Sequence, residues 1–334
     1  MNGKGDYVIT AGLTNNGVLG KTDICAKLFD GGTITIDMFG FAFYRQFKYK
    51  MVTHARVFSL KPNFSISDKQ GLFFANSFHF INKKFGYENM CSWEKIKSEK
   101  IQLPITQNGE IDFEFMENFI AELEAERIAE LTAYLTVSGL DNYVLTDEEK
   151  KVLEKFETIE FNEYSLVDIF DVKNTSNILS RDIVKDSGST PYLCASAENN
   201  AVSSYITYDE QYLEKGNCIF IGGKTFVVSY QKNDFYSNDS HNLALYLKES
   251  KPDKSNQLYL VTCIYKSLCH KYFWGDSVSK SKIKTDKIFL PTLNGKPDFE
   301  NMDVFIKAIE KLVIKNVVDF ADRKISVTKD LVKA

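Results

Sequence analysis

The sequence has few of the residues from which enzyme active sites are usually built. It contains four histidines and six cysteines in 334 residues, and no two cysteines have the C-x-x-C spacing of a zinc or redox site. Gly222-Gly-Lys-Thr225 resembles the end of a phosphate-binding loop, but Cys218 stands where that loop requires its first glycine. No serine or cysteine lies in a recognisable nucleophile turn. These absences predict a protein with no catalytic residues, no metal and no cofactor.

Long apolar runs are absent too. No run approaches the roughly 20 residues that are needed to cross a bilayer, and residues 1–6 lack the charged and then apolar pattern of a signal peptide. The cysteines lie mostly in short apolar stretches, where free thiols are expected to be buried. We therefore expect a cytoplasmic protein whose cysteines are free.

The most informative feature that is present is an internal repeat, whose second copy follows the first at a nearly constant offset. Upstream, Asn15-Asn16 matches Asn199-Asn200. The repeat is clearest near the end of each copy, where Ile101, Pro104, Asn108, Gly109, Asp112 and Phe113 return as Ile288, Pro291, Asn294, Gly295, Asp298 and Phe299. A period as long as a whole domain indicates a duplicated domain, and the chain is long enough for two cores.

Short runs of β-branched and aromatic residues between turn formers predict strands in each copy. These runs lie at Tyr7–Thr10, Thr33–Ile36, Arg56–Leu60, Tyr192–Ala195, Cys218–Ile221, Thr225–Tyr230 and Leu243–Leu247. Longer apolar stretches at Gln70–Phe80 and Gln257–Tyr272 have helical spacing. A further strand is predicted to end at Pro104 or Pro291, because proline has no backbone donor. The predicted fold class is mixed α+β, with two repeated α/β domains that are each followed by a long helix.

The long helix that closes each copy has a narrow apolar seam. Asp112 and Asp298 stand at the expected N-cap positions, and apolar residues then recur in steps of four and three. We expect the two helices to pack as an antiparallel coiled coil, in which Asn316 either sets the register or lies exposed at a frayed end. The predicted seam residues are Met116, Ile120, Leu123, Leu131, Met302, Ile306, Ile309, Val313, Asn316 and Phe320.

The repeat and the two long helices predict the domain boundaries. Between the copies, Thr146 and Glu149 have the spacing of a capping box that starts a short helix. Copy one has no counterpart of Glu163–Thr190, so its domain lacks an opening segment. The predicted organisation is a first domain at 1–109, a first spacer helix at 110–138, a linker at 139–158, a second domain at 159–295, a second spacer helix at 298–325 and a tail at 326–334.

Charge is divided unevenly along the chain. The net charge is −4, but residues 110–160 hold fifteen acidic and four basic residues, so this segment carries −11 and the remainder carries +7. Basic residues concentrate at 45–61 and at 266–287. Clusters of this kind are typical of surfaces that face nucleic-acid phosphate, with an ordinary solvated surface as the alternative.

Several short segments, taken in their order, resemble the specificity subunits of type I restriction–modification systems and the related type IIB and IIG recognition subunits. The resemblance implies a subunit without catalytic activity that holds a bipartite DNA site. Each domain would read one half-site, and the long helices would act as a spacer between them. The segments that carry the resemblance are Tyr192–Ser196, Asn199–Val202, Lys215–Gly222, Asn238–Asn242, Leu103–Ile120 and Leu290–Ile306.

The resemblance also implies the partners. These are double-stranded DNA, methyltransferase subunits and a restriction or motor subunit, and a partner chain that completes the first domain is a further expectation. Two other interpretations stay open. The chain is the recognition region of a fused type IIG restriction–methylation enzyme, or it is an interaction module that mimics a specificity subunit without binding DNA.

The residues expected to contact DNA are polar loop residues and lysines. In the major groove, Arg or Lys recognises guanine and Asn or Gln recognises adenine, whereas other lysines hold phosphates and position the protein. The predicted contacts are Asn15, Asn16, Lys21, Arg45, Gln46, Lys48, Asn199, Asn200, Ser203, Ser204, Tyr205, Lys224, Thr225, Gln231, Lys232, Asn233, Lys271, Lys280, Lys282 and Lys284.

Overall fold

The first of two compact units in the chain spans Met1–Tyr134. The structure is a computed structural model that describes residues 1–249 and 253–333, with side chains described up to residue 326. The elements of the first unit are β1 (Asp6–Ile9), β2 (Val18–Thr22), β3 (Thr33–Ile36), β4 (Ala42–Arg45), β5 (Tyr49–Met51), β6 (Phe58–Leu60), α1 (Asp68–Ser77), α2 (Trp93–Ile96) and α3 (Phe113–Val137). One sheet has the order β2-β1-β5, and the other has the antiparallel order β4-β3-β6. Ile34 and Ile36 of β3 pack with Phe74 of α1 and Met116 of α3 to form the core.

The second unit spans Leu135–Ala334. Its elements are α4 (Asp147–Lys155), β7 (Phe161–Ser165), α5 (Leu166–Ile169), β8 (Phe170–Asn174), β9 (Thr190–Leu193), β10 (Val202–Ile206), β11 (Cys218–Ile221), β12 (Val228–Gln231), β13 (Tyr236–Ser237), β14 (Leu243–Leu247), α6 (Lys254–Leu268), α7 (Lys280–Ile283), β15 (Lys287–Leu293), β16 (Lys296–Pro297) and α8 (Phe299–Lys333). Its sheets have the orders β10-β9-β13, β12-β11-β14-β8 and β16-β15-β7. Ile219, Leu245, Leu260 and Met302 lie in its largest core cluster.

The two units repeat one topology. The order β2-β1-β5 of the first unit returns as β10-β9-β13 in the second, and in both sheets the central strand is antiparallel to one neighbour and parallel to the other. The order β4-β3-β6 returns as β12-β11-β14. The fold therefore confirms the duplication and the mixed α+β class. The second unit differs from the first in two strand pairings: β8 extends its sheet beyond β14, and β7 pairs with β15.

Strand prediction was most accurate for buried apolar runs. Thr33–Ile36, Cys218–Ile221 and Leu243–Leu247 have the predicted bounds, because each has both faces covered. The strand predicted at Thr225–Tyr230 is wrong at its start and occupies Val228–Gln231 instead. The N–H of Gly222 donates to the carbonyl of Val227 across a turn, and Phe226 in that turn has a left-handed φ of 52°.

The two apolar helices begin earlier than predicted. The helix α1 starts at Asp68 because Ser67 and Gln70 form a reciprocal capping box. The helix α6 starts at Lys254, because the side chain of Asp253 accepts a hydrogen bond from Asn256 N–H and so caps the first turn. It ends at Leu268.

The expectation that proline ends a strand at Pro104 and Pro291 is wrong. The strand β15 runs through Pro291, which lies opposite Phe161, and ladder pairing continues beyond the proline because Thr292 N–H donates to Glu160 O over 2.9 Å. On its other side β15 pairs with β16 only at Thr292 and Leu293, so no neighbouring strand needs the donor that Pro291 lacks. In the first unit, residues 101–104 form no strand.

The N-cap predictions for the long helices are confirmed. Asp112 Oδ1 accepts from Phe115 N–H over 2.8 Å, and Asp298 Oδ1 accepts from Asn301 N–H over 3.0 Å. The capping box of Thr146 and Glu149 at the start of α4 is confirmed as well. The helix α8 continues through most of the segment predicted to be a tail, because no glycine or proline follows Arg323 to end it.

The cysteines are free, but their burial is mixed. Cys91 and Cys218 are buried as expected, whereas Cys25 is exposed and the other three are partly buried. Burial raises the pKa of the Cys91 thiol to about 11, so the thiol stays protonated at neutral pH. Within the part of the chain that the structure describes, no helix is both long and apolar enough to cross a bilayer.

The linker helix α4 packs on α8 through a buried ion pair. Glu149 is 6 % exposed, and one of its carboxylate oxygens lies 2.9 Å from Lys311 Nζ. Although burial tends to raise the pKa of Glu149, hydrogen bonds from Lys311 and Thr146 outweigh that effect and lower it. Lys311 Nζ also donates to the carbonyl of Val144 over 3.0 Å. One lysine thus ties both the linker and its capping carboxylate to the long helix.

Lys311→Met is expected to lower the free energy of unfolding of the second unit by about 3 kcal/mol at pH 7, because it leaves the Glu149 carboxylate buried without its cation. The depressed pKa of Glu149 means that the pair stabilises the folded state at neutral pH, and that this contribution is lost as pH falls below the ordinary glutamate value. Denaturant unfolding at pH 7 and at pH 4 measures the difference. Lys307→Met is the matched control, since its ion pair with Asp303 is more exposed; equal losses at both pH values would contradict the prediction.

Candidate nucleic-acid interface

Each unit presents the same two-asparagine turn, between β1 and β2 in the first unit and between β9 and β10 in the second. Asn15 and Asn16 have φ values of 48° and 52°, and Asn199 and Asn200 have values of 48° and 51°. Asparagine is among the few residues besides glycine that adopt this left-handed conformation readily. Asn15 Nδ2 donates to Val18 O, and Asn199 Nδ2 donates in the same way to Val202 O, both over 3.0 Å. The repeat therefore preserves a backbone shape and its internal bond.

A buried side chain of the adjoining hairpin holds each turn from beneath. Arg45 Nη2 donates to Asn16 O over 2.7 Å, and Gln231 Nε2 donates to Asn200 O over 3.0 Å. Arg45 and Gln231 occupy equivalent positions, at the ends of β4 and β12. They are 2 % and 4 % exposed, so neither can reach a base. Both were predicted as DNA contacts, and the structure gives them a positioning role instead.

The surroundings of Arg45 explain how a buried cation is tolerated there. Its Nε donates to Thr35 Oγ1 over 2.9 Å. Burial lowers the pKa of Arg45 to about 10, opposed by the nearby Tyr49 hydroxyl and the Asp37 carboxylate. The guanidinium is therefore still charged at neutral pH. Asp37 is itself satisfied by the N–H groups of Gly12, Phe39 and Phe41.

The second unit places its asparagine turn along one side of the β11–β12 hairpin. Asn200 Nδ2 donates to the carbonyl of Tyr230 over 3.0 Å, and Thr225 Oγ1 donates to Ala195 O over 2.9 Å. The loop 195–201 is thus tied both to β12 and to the turn that precedes it. Lys224 and Thr225 at one end of the hairpin, and Lys232 and Asn233 at the other, are all exposed.

A cluster of polar residues fixes the tip of this hairpin. Lys224 Nζ lies 3.0 Å from Asp239 Oδ2, and His241 Nδ1 lies 2.7 Å from the other oxygen of that carboxylate. Although burial tends to raise it, hydrogen bonds from His241 and Lys224 hold the pKa of Asp239 at about 2. Gly223 N–H donates to Asn242 Oδ1 over 2.9 Å. The tip is therefore a fixed shape with exposed donors.

The basic segment 271–284 lies next to that tip, because Val278 N–H donates to Gly223 O over 3.0 Å. Two of its predicted phosphate contacts are already paired. Lys271 bonds the buried carboxylate of Asp286, and Lys282 Nζ lies 2.5 Å from Asp276 Oδ1. Lys280 and Lys284 are exposed and have no carboxylate partner among the residues that the structure describes. They are the cations most available to phosphate.

An exposed aromatic side chain stands at the same repeat position in both units, and sequence analysis missed it. Tyr87 and Trp274 are each 77 % exposed, and they are separated by the same offset as Ile101 and Ile288. Trp274 sits on a tight turn in which Phe273 and Asp276 exchange backbone hydrogen bonds. A Trp-Gly pair in a lysine-rich segment is a signal that could have identified it, since a large apolar side chain is rarely left exposed without a partner.

Four of the predicted DNA-contact residues of the first unit line a groove of about 610 Å³. Asn15, Asn16, Arg45 and Gln46 line it together with Tyr7. Lys21 is not in the groove wall, but its Nζ lies 4.4 Å from the centre of the Tyr7 ring. Of the remaining predicted contacts, Lys48, Ser203 and Tyr205 are exposed, whereas Ser204 is 5 % exposed and donates to Asp186.

The predicted seam residues of the long helices divide into two groups. Met116 and Met302 are fully buried, each in the core of its own unit. The exposed members are Leu123, Val313, Asn316 and Phe320, and Ile120, Leu131, Ile306 and Ile309 are partly buried. The pairing of the two helices as an antiparallel coil stays a prediction.

Comparison with known proteins identifies one family and several similar proteins. A family model described as "Type I restriction modification DNA specificity domain" matches residues 1–133 and 158–319. A curated relative, the specificity subunit S.BcgI of a type II restriction enzyme from Heyndrickxia coagulans, is 21 % identical over 319 residues, which cover 94 % of this chain and 88 % of that protein. The type I restriction–modification S subunit of M. genitalium, solved by crystallography, aligns with a TM-score of 0.56 at 14 % identity, covering 99 % of this chain and 87 % of that one. This last likeness concerns the fold alone.

Proposed function

Because the chain belongs to the family of type I restriction modification DNA specificity domains and contains two copies of the domain, we propose that it is a non-catalytic specificity subunit that recognises a DNA site made of two half-sites. Each unit reads one half-site through its asparagine turn and the adjoining hairpin. The observation that carries the proposal is the repetition of one turn geometry in both units. The proposed place of action is the cytoplasm, where the DNA and the partner subunits would be found.

In the second unit the proposed reading surface consists of Asn200, Lys224, Thr225, Lys232 and Asn233. The strand β12 lies between the turn that carries Lys224 and Thr225 and the pair Lys232-Asn233, and it is roughly 10 Å long, at about 3.3 Å per residue. That length corresponds to about three base-pair steps of about 3.4 Å, so the surface extends over at least this many steps. Its amide and lysine side chains match the donors and acceptors that adenine and guanine present in the major groove.

Phosphate contacts would surround this surface. Lys280 and Lys284 supply charge beside the hairpin tip, and Trp274 supplies an apolar side chain at the same edge. Cations of this kind set the position of the protein on the duplex but carry no sequence information. The first unit would contact DNA through its own set of polar and basic side chains, which are Asn15, Asn16, Lys21, Gln46 and Lys48.

The docking partners that we propose are a methyltransferase subunit and, in a complete system, a restriction or motor subunit. The S.BcgI relative is described as a specificity subunit of a restriction enzyme, which supports assembly with catalytic chains. The acidic segment 110–160, with its charge of −11, is poorly suited to face DNA and suits a protein surface instead.

The decisive experiment is to co-express the chain with a candidate methyltransferase subunit and to map methylated bases across a genome by single-molecule sequencing. We expect one motif with two short specified parts and an unspecified gap of fixed length. A single contiguous motif would contradict the two-reader proposal. Binding of the methyltransferase without any sequence preference at moderate salt would support the interaction-module interpretation instead.

Lys280→Ala combined with Lys284→Ala is expected to weaken binding to all duplexes alike, because the lysines hold phosphate and not bases. The slope of log K against log salt concentration should fall in magnitude by roughly 0.9 for each lysine lost. Fluorescence anisotropy at several salt concentrations, with cognate and scrambled duplexes, measures both effects. Lys151→Ala with Lys155→Ala in the acidic segment is the matched control, and a change in base preference in the Lys280 and Lys284 variant would contradict the assignment.

A further inference from the structure

His241 of the second unit lies beside the hairpin tip and shares a carboxylate with Lys224. Its Nδ1 lies 2.7 Å from Asp239 Oδ1, and its backbone N–H donates to the same oxygen over 2.9 Å. Lys224 Nζ lies 3.0 Å from the other oxygen, Oδ2. The side chain of His241 is 71 % exposed, whereas that of Asp239 is 22 % exposed. The imidazole is therefore held through one nitrogen while most of the ring faces solvent.

The charge of Asp239 decides which nitrogen of this imidazole carries the hydrogen. Burial tends to raise the pKa of Asp239, but hydrogen bonds from His241 and Lys224 outweigh that effect and lower the pKa to about 2. The carboxylate is therefore ionised at neutral pH and can only accept hydrogen bonds. Nδ1 of His241 must then be the donor, and in a neutral ring the other nitrogen, Nε2, keeps its lone pair. The exposed edge of the ring thus presents an acceptor.

A buried polar network fixes the backbone that carries this pair. Asp239 O accepts hydrogen bonds from Asn242 N–H over 3.1 Å and from Thr175 Oγ1 over 2.9 Å. Asn242 and Thr175 are buried, and both donate to the hydroxyl of Ser237. Gly223 N–H, at the hairpin tip, donates to Asn242 Oδ1. The exposed imidazole therefore stands on the same buried support as the hairpin tip.

The first unit has the histidine but not the carboxylate. At the offset of the repeat, His54 is the counterpart of His241, and Val52 is the counterpart of Asp239. A valine side chain has no acceptor, so it cannot direct the hydrogen of a neighbouring ring. The asparagine turns and the buried donors beneath them repeat in both units, whereas this pair belongs to one. Loops that differ on a shared scaffold are where binding specificity usually lies.

We propose that His241 reads an exocyclic amino group in the half-site bound by the second unit, and that Asp239 is the positioning residue that leaves Nε2 as an acceptor. The inference rests on the proposed function, in which the neighbouring Lys224 faces the major groove. There adenine and cytosine present an amino donor, N6 or N4, whereas guanine and thymine present an acceptor, O6 or O4. A lone pair attracts the first two and repels the others. At one position of one strand, the second unit should therefore select adenine or cytosine against guanine and thymine.

The test measures binding by the full chain with a methyltransferase subunit, at about pH 8.5, where an ordinary imidazole with a pKa of about 6.5 is neutral. At each position of the mapped site in turn, the duplex carries purine in place of adenine, or 2-pyrimidinone in place of cytosine. Each analogue lacks only the amino group. At one position of one half-site, this removal should weaken binding by about three- to tenfold, the size of one net hydrogen bond. The analogue that produces the loss distinguishes adenine from cytosine.

Three variants separate reading from support. His241→Asn places an amide nitrogen where Nδ1 stands, so it keeps a donor for Asp239 but has no group at the place of Nε2, and removal of the amino group should no longer weaken its binding. His241→Gln extends an amide oxygen toward that place and should restore part of the effect. Asp239→Asn no longer forces Nδ1 to donate and should reduce the effect at the same position. His270→Asn, at an exposed histidine that follows α6, is the matched control and should behave as the wild type.

Three outcomes would overturn the proposal. One is a His241→Asn variant that still senses the amino group as strongly as the wild type does. Another is an equal loss of affinity for all duplexes in that variant, which would mean that the ring binds phosphate. The last is a wild-type chain that distinguishes bases but senses no amino group in the half-site. A wild-type chain with no base preference of any kind would instead contradict the proposed function, and this inference with it.

Discussion

Lys224→Ala, Lys232→Ala and Asn233→Ala introduced together are expected to weaken binding of the cognate duplex by about 10²–10³-fold. All three side chains are exposed; Lys224 lies in the turn between β11 and β12, and Lys232 and Asn233 follow β12. Each good contact to a base edge contributes roughly 1–3 kcal/mol of discrimination, so the loss of two or three gives an effect of this size. Anisotropy titrations with the site identified by methylation mapping measure it.

The loss should be confined to one half of the site. A base change in the half-site read by the second unit should no longer reduce affinity in the triple variant, because the contacts that sensed it are gone. A base change in the other half-site should cost the same roughly 1–3 kcal/mol as before. Thermal unfolding should change little, since the Lys224–Asp239 ion pair is partly exposed and such pairs contribute about 0–1 kcal/mol. If both half-sites lost discrimination together, the two units would not read independently.

Gly223→Ala is expected to destabilise the second unit by about 2–4 kcal/mol, as overpacking against backbone does. A Cβ at this position would lie 2.5 Å from the backbone carbonyl oxygen of His241 and 2.8 Å from its carbon. Backbone atoms cannot move aside as a flexible side chain can, so the hairpin tip and the strand β14 that follows His241 must separate. Gly223 also bonds Asn242 Oδ1 and Val278 N–H, and both bonds depend on that close approach. Denaturant unfolding monitored by Trp274 fluorescence measures the change.

Gly86→Ala is the matched control for this substitution. No atom would lie in contact with a Cβ at Gly86, and its backbone is not left-handed. Alanine there should be neutral or should stabilise the chain by about 0.4–1 kcal/mol through the unfolded state. If Gly223→Ala lowered the free energy of unfolding by less than about 1 kcal/mol, the size of an ordinary substitution, the hairpin tip would be able to adapt easily. That result would contradict its assignment as a rigid reading element.

The sequence predicted well those parts of the fold that depend on local pattern. Buried runs such as Cys218–Ile221 and capped helix starts such as Asp298 were confirmed at or near residue level, since burial on both faces and N-capping leave clear signals. The repeat predicted the shared topology before any strand was assigned. The path through Pro291 was not predictable, because it depends on which strand lies opposite, and that partner, β7, lies at the far end of the second unit's sequence.

The candidate site was harder to predict than the fold. Asn15-Asn16 and Asn199-Asn200 were found because they repeat, but the roles of Arg45 and Gln231 were not. A polar residue at a strand end can point toward solvent or inward, and only the carbonyl of the neighbouring turn decides which. Tyr87 and Trp274 were missed for a related reason, since the exposure of an aromatic side chain is set by the turn that carries it, and the sequence signals such a turn at Trp274-Gly275 but not at Tyr87-Glu88.

The support beneath the two asparagine turns separates their backbone from their surface. A guanidinium in one unit and a primary amide in the other donate to the equivalent peptide oxygen, so the duplicated fold keeps a buried donor here and not one particular amino acid. The exposed side chains of each turn take no part in this bond. Substitutions among them should therefore leave the course of the backbone unchanged, in each unit independently of the other.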